Sequence, residues 1–474
     1  MLFGSTVFLF LFLPVTLVLY ACAPRSIKNA VLLVASLIFY AWGELEYVGV
    51  LLLSIIVNYA MGVWIDRSQT SHRSLLVSLG VAANLAVLIV FKYAGFLSAN
   101  ASTGLNAIGI ETVPFTPLPL PLGISFFTFQ GISYLIDVGR RDVPAQRRLI
   151  DLSLYIAMFP QLIAGPIVRY GEISAALASR RHTLANVDAG LRRFVSGLAR
   201  KMLLANPLGE TADTILAAAP GELSMGAAWL GITCYAFQIY FDFSGYSDMA
   251  IGLGRIFGFR IPENFHYPYT ATSIRDFWRR WHITLSSWFR DYLYIPLGGN
   301  RLSAARTTLH LLLVFFLCGL WHGASWNFVL WGLFHGALLG AERLGLERLL
   351  KRSWLPIRHA YVLLSVWIGW VVFRVEDGGA ALLHIKSMFG LGSGVIGLTP
   401  FLEPRTILCL ILATLFSTSL PSALWRELQA ILNRSLIGRG TSAALRLTTV
   451  FCLGLLCAAT VVASAYNPFI YFRF

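Results

Sequence analysis

Two histidines stand where an imidazole could move a proton in an apolar setting. His322 lies in the run Cys318-Gly319-Leu320-Trp321-His322-Gly323-Ala324-Ser325-Trp326-Asn327, an ionisable group inside an otherwise apolar region. A titratable side chain is costly in lipid, so such a residue is a functional candidate by default. Gly319 and Gly323 leave room for a backbone or a substrate to approach closely. A neutral imidazole could take the proton of a hydroxyl and later return it to a leaving group. A buried histidine that bridges two helices accounts for the same residues as well, and residue physics alone leaves both readings open.

His282 is the second candidate, in Phe277-Trp278-Arg279-Arg280-Trp281-His282-Ile283-Thr284-Leu285-Ser286-Ser287-Trp288. An interfacial helix anchored by tryptophan and arginine has this composition, and that is its first reading. The competing reading is a donor site: Arg279 and Arg280 could hold phosphates, and His282 could orient or polarise a thioester carbonyl. A third polar island, Tyr240-Phe241-Asp242-Phe243-Ser244-Gly245-Tyr246-Ser247-Asp248-Met249, could bind sugar or pair with nearby arginines to hold broken helices together. The structural role is the expectation there, and Asn264, His266 and His335 are read with the same reserve. Asn58 and Asn84, single polar residues in apolar segments, read as helix-packing contacts.

Other catalytic grammars fail. Gly252-Leu253-Gly254-Arg255-Ile256-Phe257-Gly258 lacks the strand–turn–helix setting of a dinucleotide loop. The chain has no G-x-S-x-G elbow, no H-E-x-x-H helix and no phosphate loop ending in Gly-Lys-Ser/Thr. A transporter built on broken helices stays possible.

The elements that must position these residues are membrane helices. Of 474 residues, 57% are apolar and 13% are Asp, Glu, Lys or Arg, about half the charged share of a soluble domain. The net charge of +14 sits in short breaks between apolar segments, which argues for cytoplasmic anchoring and anionic headgroups and against nucleic acid. The six cysteines have apolar surroundings and irregular spacing, unlike a disulfide framework or a zinc cluster. Candidate spans cover residues 3–21, 31–42, 47–65, 75–96, 118–136, 149–167, 194–206, 227–243, 247–257, 308–320, 326–339, 360–373, 407–420 and 447–463. Several are short, so about eleven true spans are expected, with others re-entrant, broken or merged. The first reads as a retained span, since residues 1–6 carry no Lys or Arg. The whole chain, 1–474, reads as one membrane-embedded domain without a separate soluble domain.

Arg25 and Lys28 follow the first span, Glu44 and Glu46 the second, and Arg67 and Arg73 the third; the loop 97–117 has no Lys or Arg, and Arg140, Arg141, Arg147 and Arg148 follow the next segment. Basic breaks in the cytoplasm put the N-terminus and loop 97–117 outside. Within 274–294, spacings of three and four bring Trp278, His282 and Leu285 to one face of an amphipathic or re-entrant helix, with Trp281 and Trp288 turned toward headgroups. Pro296, Gly298 and Gly299 end that element in a turn.

At the two histidines the chain resembles the membrane-bound O-acyltransferase (MBOAT) family, close to its alginate O-acetylation subfamily. The runs carrying the resemblance are Arg275-Asp276-Phe277-Trp278-Arg279-Arg280-Trp281-His282, Trp288-Phe289-Arg290-Asp291-Tyr292 and Gly319-Leu320-Trp321-His322-Gly323. Residues 240–254, Leu162-Ile163-Ala164-Gly165-Pro166 and Pro468-Phe469-Ile470-Tyr471-Phe472-Arg473-Phe474 extend it over nearly the whole length.

The resemblance implies an all-α polytopic fold with a funnel or tunnel to the catalytic pocket. It places the family's catalytic histidine at His322 and its second characteristic polar position at His282. It further implies acetyl transfer from a cytoplasmic thioester, acetyl-CoA or an acetylated carrier protein, toward a secreted polysaccharide at the inner membrane. Periplasmic or membrane-anchored O-acetylation proteins are the implied partners, and no tightly bound cofactor is expected. Alginate is the first polymer implied and bacterial cellulose the next. Peptidoglycan or teichoic-acid acylation is the enzymatic alternative, and a non-enzymatic acyl conduit in a secretion complex is the competing class.

Overall fold

The computed structural model describes residues 1–112, 115–464 and 466–468, with the side chains of 436 and 437 excepted. Two residues of the 97–117 loop and most of the closing Pro468–Phe474 run therefore lie outside the described residues. Among the described residues every element is a helix, apart from one isolated bridge between Leu223 and Ile396. Long apolar runs without alternation favour this outcome, because a helix satisfies its own backbone where no water is present. Among the described residues, five helices are long and apolar enough to cross a bilayer: Lys28–Arg67, Thr70–Ala107, Ala304–His322, Leu355–Arg374 and Gly438–Ala463. A sixth is reached if Pro404–Phe416 and Leu420–Leu432, bent by 68°, form one broken span.

The remaining expected segments are shorter, broken or merged. The helix expected from residue 118 begins at Ile124, because Pro117, Pro119 and Pro121 hold the preceding chain extended. Gly123 then turns the chain with φ of 73°, and its missing side chain admits the Leu162 carbonyl. The segment expected at 149–167 stops at Ala157, three residues before Pro160, the second residue of the next short helix.

The segments expected at 227–243 and 247–257 are one helix, Met225–Ile256. The polar island that suggested a break is accommodated instead by the neighbouring helix Leu184–Ala199 and the π-helical turn Arg200–Ala205. Asp248 pairs with Arg193 and Arg200 at 2.6 Å each, and Asp242 pairs with the fully buried Lys201 at 2.5 Å. Removing one partner of such a buried pair costs roughly 3–5 kcal/mol, since the other charge is left stranded. Glycines bring the two backbones together: a Cβ on Gly197 would lie 2.5 Å from the Gly245 carbonyl oxygen, and one on Gly252 2.5 Å from that of Gly190. Small residues at such crossings drive helix association in lipid, where hydrophobic burial cannot.

Asn58 and Asn84 make the packing contact expected of them. Each amide donates to the other's carbonyl, at 3.1 and 3.0 Å, and so ties Val48–Arg67 to Thr70–Leu88.

The glycine crossing yields a prediction. Gly197→Leu forces two backbones apart and should lower the melting temperature of the detergent-solubilised protein by several degrees, in line with an overpacking cost of about 1–3 kcal/mol. Gly49→Ala, whose Cβ would meet nothing within 4 Å, should leave it unchanged. Equal melting temperatures for the two variants would contradict the crossing as described.

Candidate active site

His322 is the last residue of the helix Ala304–His322, and the chain leaves it extended through Gly323. The close approach read at Gly319 is made by a backbone: its missing side chain admits the Phe328 carbonyl of the next helix, Trp326–Ala341, and Gly332 admits that of Phe315 in return. Gly323 admits the Phe328 ring. This tight hairpin buries His322 to 4% exposure, edge-on to Trp331 and Phe373 with centroids at 5.1 and 5.3 Å.

His282 does not continue a helix through 274–294, and the expected shared face of Trp278, His282 and Leu285 is corrected. The helix Ile274–Arg280 ends, His282 adopts a left-handed backbone with φ of 43°, and a second helix runs Ile283–Phe289. Asn264, eighteen positions earlier, is the physical cause. Its side-chain oxygen accepts from His282 Nδ1 at 3.1 Å, Thr284 Oγ1 at 2.9 Å and Thr284 N at 3.2 Å. Its carbonyl takes Ile283 N at 2.9 Å, and Arg280 O takes His266 N at 2.9 Å. These bonds outweigh a left-handed non-glycine residue, which costs roughly 1–2 kcal/mol. With Nδ1–H committed to an oxygen, the neutral ring carries its lone pair on Nε2.

The two tryptophans expected at headgroups are buried. Trp281 packs against Phe277, Phe265 and Trp370, and Trp288 stacks on Phe129 at 3.8 Å while its indole N–H donates to the Phe129 carbonyl. A ring of aromatic partners inside the protein outcompetes the membrane interface. Trp321 packs against both histidines, its centroid 5.0 Å from that of His322 and 6.0 Å from that of His282.

Two cavities meet the His322 helix. The smaller, about 80 Å³, is lined by His322, Trp321, Lys92, Ser125, Leu120 and Ile163 among others. The larger, about 420 Å³, takes Leu311, Val314, Phe315 and Cys318 of the same helix and four arginines, Arg275, Arg279, Arg290 and Arg343. Three of these arginines are already engaged: Arg275 with Glu347 at 2.9 Å, Arg290 with Asp291 at 2.6 Å, and Arg343 with the Asn300 side chain at 3.0 Å. Arg279 has no ion-pair partner among the described residues. Arg280 lies outside the cavity lining, with its Nε donating to Asp276 at 2.9 Å. The buried Glu342 caps the start of the arginine helix, accepting from Ile274 N at 2.6 Å and Arg275 N at 3.1 Å. His335 is buried beside Trp278 and Trp331 rather than in either lining, and His266 contacts Arg280.

Sequence reasoning overlooked Lys92 and Tyr93, which reach the end of the His322 helix from a neighbouring span. Lys92 Nζ donates to the Trp321 carbonyl, and Tyr93 Oη donates to that of Leu320 at 2.8 Å. The available signal was a single lysine inside the apolar stretch 75–96.

Known proteins are similar to this chain over most of its length. Residues 143–375 match the MBOAT, membrane-bound O-acyltransferase family. A probable alginate O-acetylase of Azotobacter vinelandii is 44% identical over 396 residues, covering 83% of this chain and 79% of that one. The probable alginate O-acetylase of Pseudomonas putida is 40% identical over 491 residues and covers both chains completely. A peptidoglycan O-acetyltransferase of Helicobacter pylori is 37% identical over 427 residues, covering 82% of this chain and 80% of its own. A histidine at the end of a membrane helix that borders two cavities, in a chain this similar to acetylases over this length, identifies a multi-pass membrane protein of the membrane-bound O-acyltransferase family.

Proposed function

We propose that this O-acyltransferase takes acetyl from a cytoplasmic thioester and delivers it on the far side of the inner membrane toward a secreted exopolysaccharide, alginate first. The observation carrying the proposal is that one helix lines both cavities and ends in His322. In this reading the arginine-lined cavity faces the cytoplasm and the cavity of His322 and Lys92 faces outward, following the placement of basic breaks inside. The N-terminus is then periplasmic, and about eleven crossings result when short, tilted and broken helices are counted.

His322 serves as general base. It takes the proton of the acceptor hydroxyl as that oxygen attacks the acetyl carbonyl. The carbon–sulfur bond then breaks, and the departing thiolate recovers the proton. His282, oriented by Asn264, holds or polarises the thioester. Arg279 contacts the donor's phosphates, and Arg280, tied to Asp276, steadies the helix that presents it. Burial limits thioester hydrolysis by excluding bulk water.

The donor is acetyl-CoA or an acetylated carrier protein, with no tightly bound cofactor. The acceptor is the sugar itself or a periplasmic or membrane-anchored O-acetylation partner. Acetylation of another cell-envelope glycan is the second reading, favoured by the similarity to the Helicobacter pylori peptidoglycan enzyme.

Mass analysis of the polymer secreted by the gene-deleted host, complemented at normal membrane abundance, tests the role of His322. His322→Ala should reduce acetyl content to the level of the deletion. Undiminished acetylation would reject the base and favour a passive conduit. In permeabilised cells given labelled acetyl-CoA, Arg279→Ala should raise the KM for that donor roughly tenfold or more while changing the maximal rate little. An unchanged KM would remove Arg279 from the donor site.

A further inference from the structure

The apolar span Thr70–Ala107 carries one π-helical turn, Ile89–Tyr93, at the level where the His322 helix ends. Such turns accommodate an extra residue within a helix and often sit at functional sites. Here the turn presents two successive side chains, Lys92 and Tyr93, to one target. Tyr93 Oη donates to Leu320 O at 2.8 Å. Lys92 Nζ donates to Trp321 O and stands 3.4 Å from His322 O and 3.3 Å from Ser125 Oγ. Three consecutive carbonyls at the end of the His322 helix are thus met from a different span.

The last carbonyls of a helix have no intrahelical partner, and at a terminus as buried as that of Trp321 and His322 bulk water does not supply one. The helix end also carries partial negative charge, which a cation offsets. Among the described residues no carboxylate forms an ion pair with Lys92, so its ammonium is placed against backbone oxygens instead. It lines the same small cavity as His322, where it is the other ionisable side chain in the lining.

We infer that Lys92, assisted by Tyr93, is a positioning residue that clamps the last turn of the His322 helix and so aims the imidazole into the outer cavity. The inference rests on His322 being the proton acceptor of the proposed reaction. Misplacing a reacting group by about 1 Å can cost on the order of a hundredfold in rate. Loss of the clamp should therefore appear in turnover and leave donor binding at the arginine cavity intact.

The test measures maximal rate and KM for labelled acetyl-CoA in permeabilised gene-deleted cells complemented at matched abundance. Lys92→Met should lower the maximal rate about tenfold or more with KM within about twofold of the parent. Lys92→Arg, which keeps a cationic donor, should recover a substantial part of the loss. Parental turnover in a folded Lys92→Met variant overturns the inference. So does a rate loss that Lys92→Arg leaves uncorrected, or one matched by a fall in melting temperature. If Lys92→Met fails to accumulate, Tyr93→Phe decides: a lowered rate at unchanged KM supports the clamp, and a parental rate overturns it. His322→Ala separates the two levels of the argument. Full activity in His322→Ala would bring down the proposed function itself, whereas an inactive His322→Ala beside a fully active Lys92→Met would bring down the clamp alone.

Discussion

A helix that ends buried inside a protein leaves its last carbonyls without intrahelical partners and out of reach of bulk water. The helix Ala304–His322 ends in this way, with His322 buried, and much of the surrounding architecture answers that constraint. The π-helical turn at Ile89–Tyr93 delivers Lys92 and Tyr93 to the carbonyls of Leu320 and Trp321. Gly319 and Gly332 let the following helix fold back so closely that backbone meets backbone, and Gly323 makes room for the Phe328 ring. A histidine held at this terminus is buried yet borders a cavity, the combination required of a proton acceptor that must meet substrate without meeting bulk water.

Rigidity around that point comes from polar groups that are paired rather than excluded. Asp242 with Lys201, and Asp248 with Arg193 and Arg200, fasten the helix Met225–Ile256 to its neighbour. Asp137 accepts from the Tyr292 hydroxyl at 2.8 Å, joining the helix Ile124–Arg140 to the segment after Trp288. Glu342 fixes the start of the arginine helix from the far end of the hairpin that carries His322. The hairpin therefore positions the histidine directly and the arginine helix through one carboxylate.

The helical class and the membrane setting were legible, and His322 stood out as a candidate, because each depends on local composition: a charged share too low for solvent, long apolar runs, and one imidazole within them. His282 was legible as a residue but not as a conformation. Helical periodicity placed it on a face with Trp278, whereas Asn264 pulls it into a left-handed turn through hydrogen bonds that periodicity does not encode. Arg279 and Arg280 are adjacent and chemically identical, so only tertiary structure separates the one lining the cavity from the one paired with Asp276. The polar island at 240–249 suggested a break, but its charges find partners and the helix runs through. Lys92 stayed hidden because its significance lies in carbonyls more than two hundred residues away.

In the proposed reaction the last turns of one helix stand between two compartments, each reached through a different cavity. Leu120 lines the cavity of His322, and Ser287 lines the cavity of the arginines. In a background without native cysteines, a membrane-impermeant maleimide applied to spheroplasts should label Leu120→Cys and spare Ser287→Cys. Inverted vesicles should give the reverse pattern. Labelling of both positions from the same face would contradict the account, because acetyl could then not pass from one side of the bilayer to the other at His322.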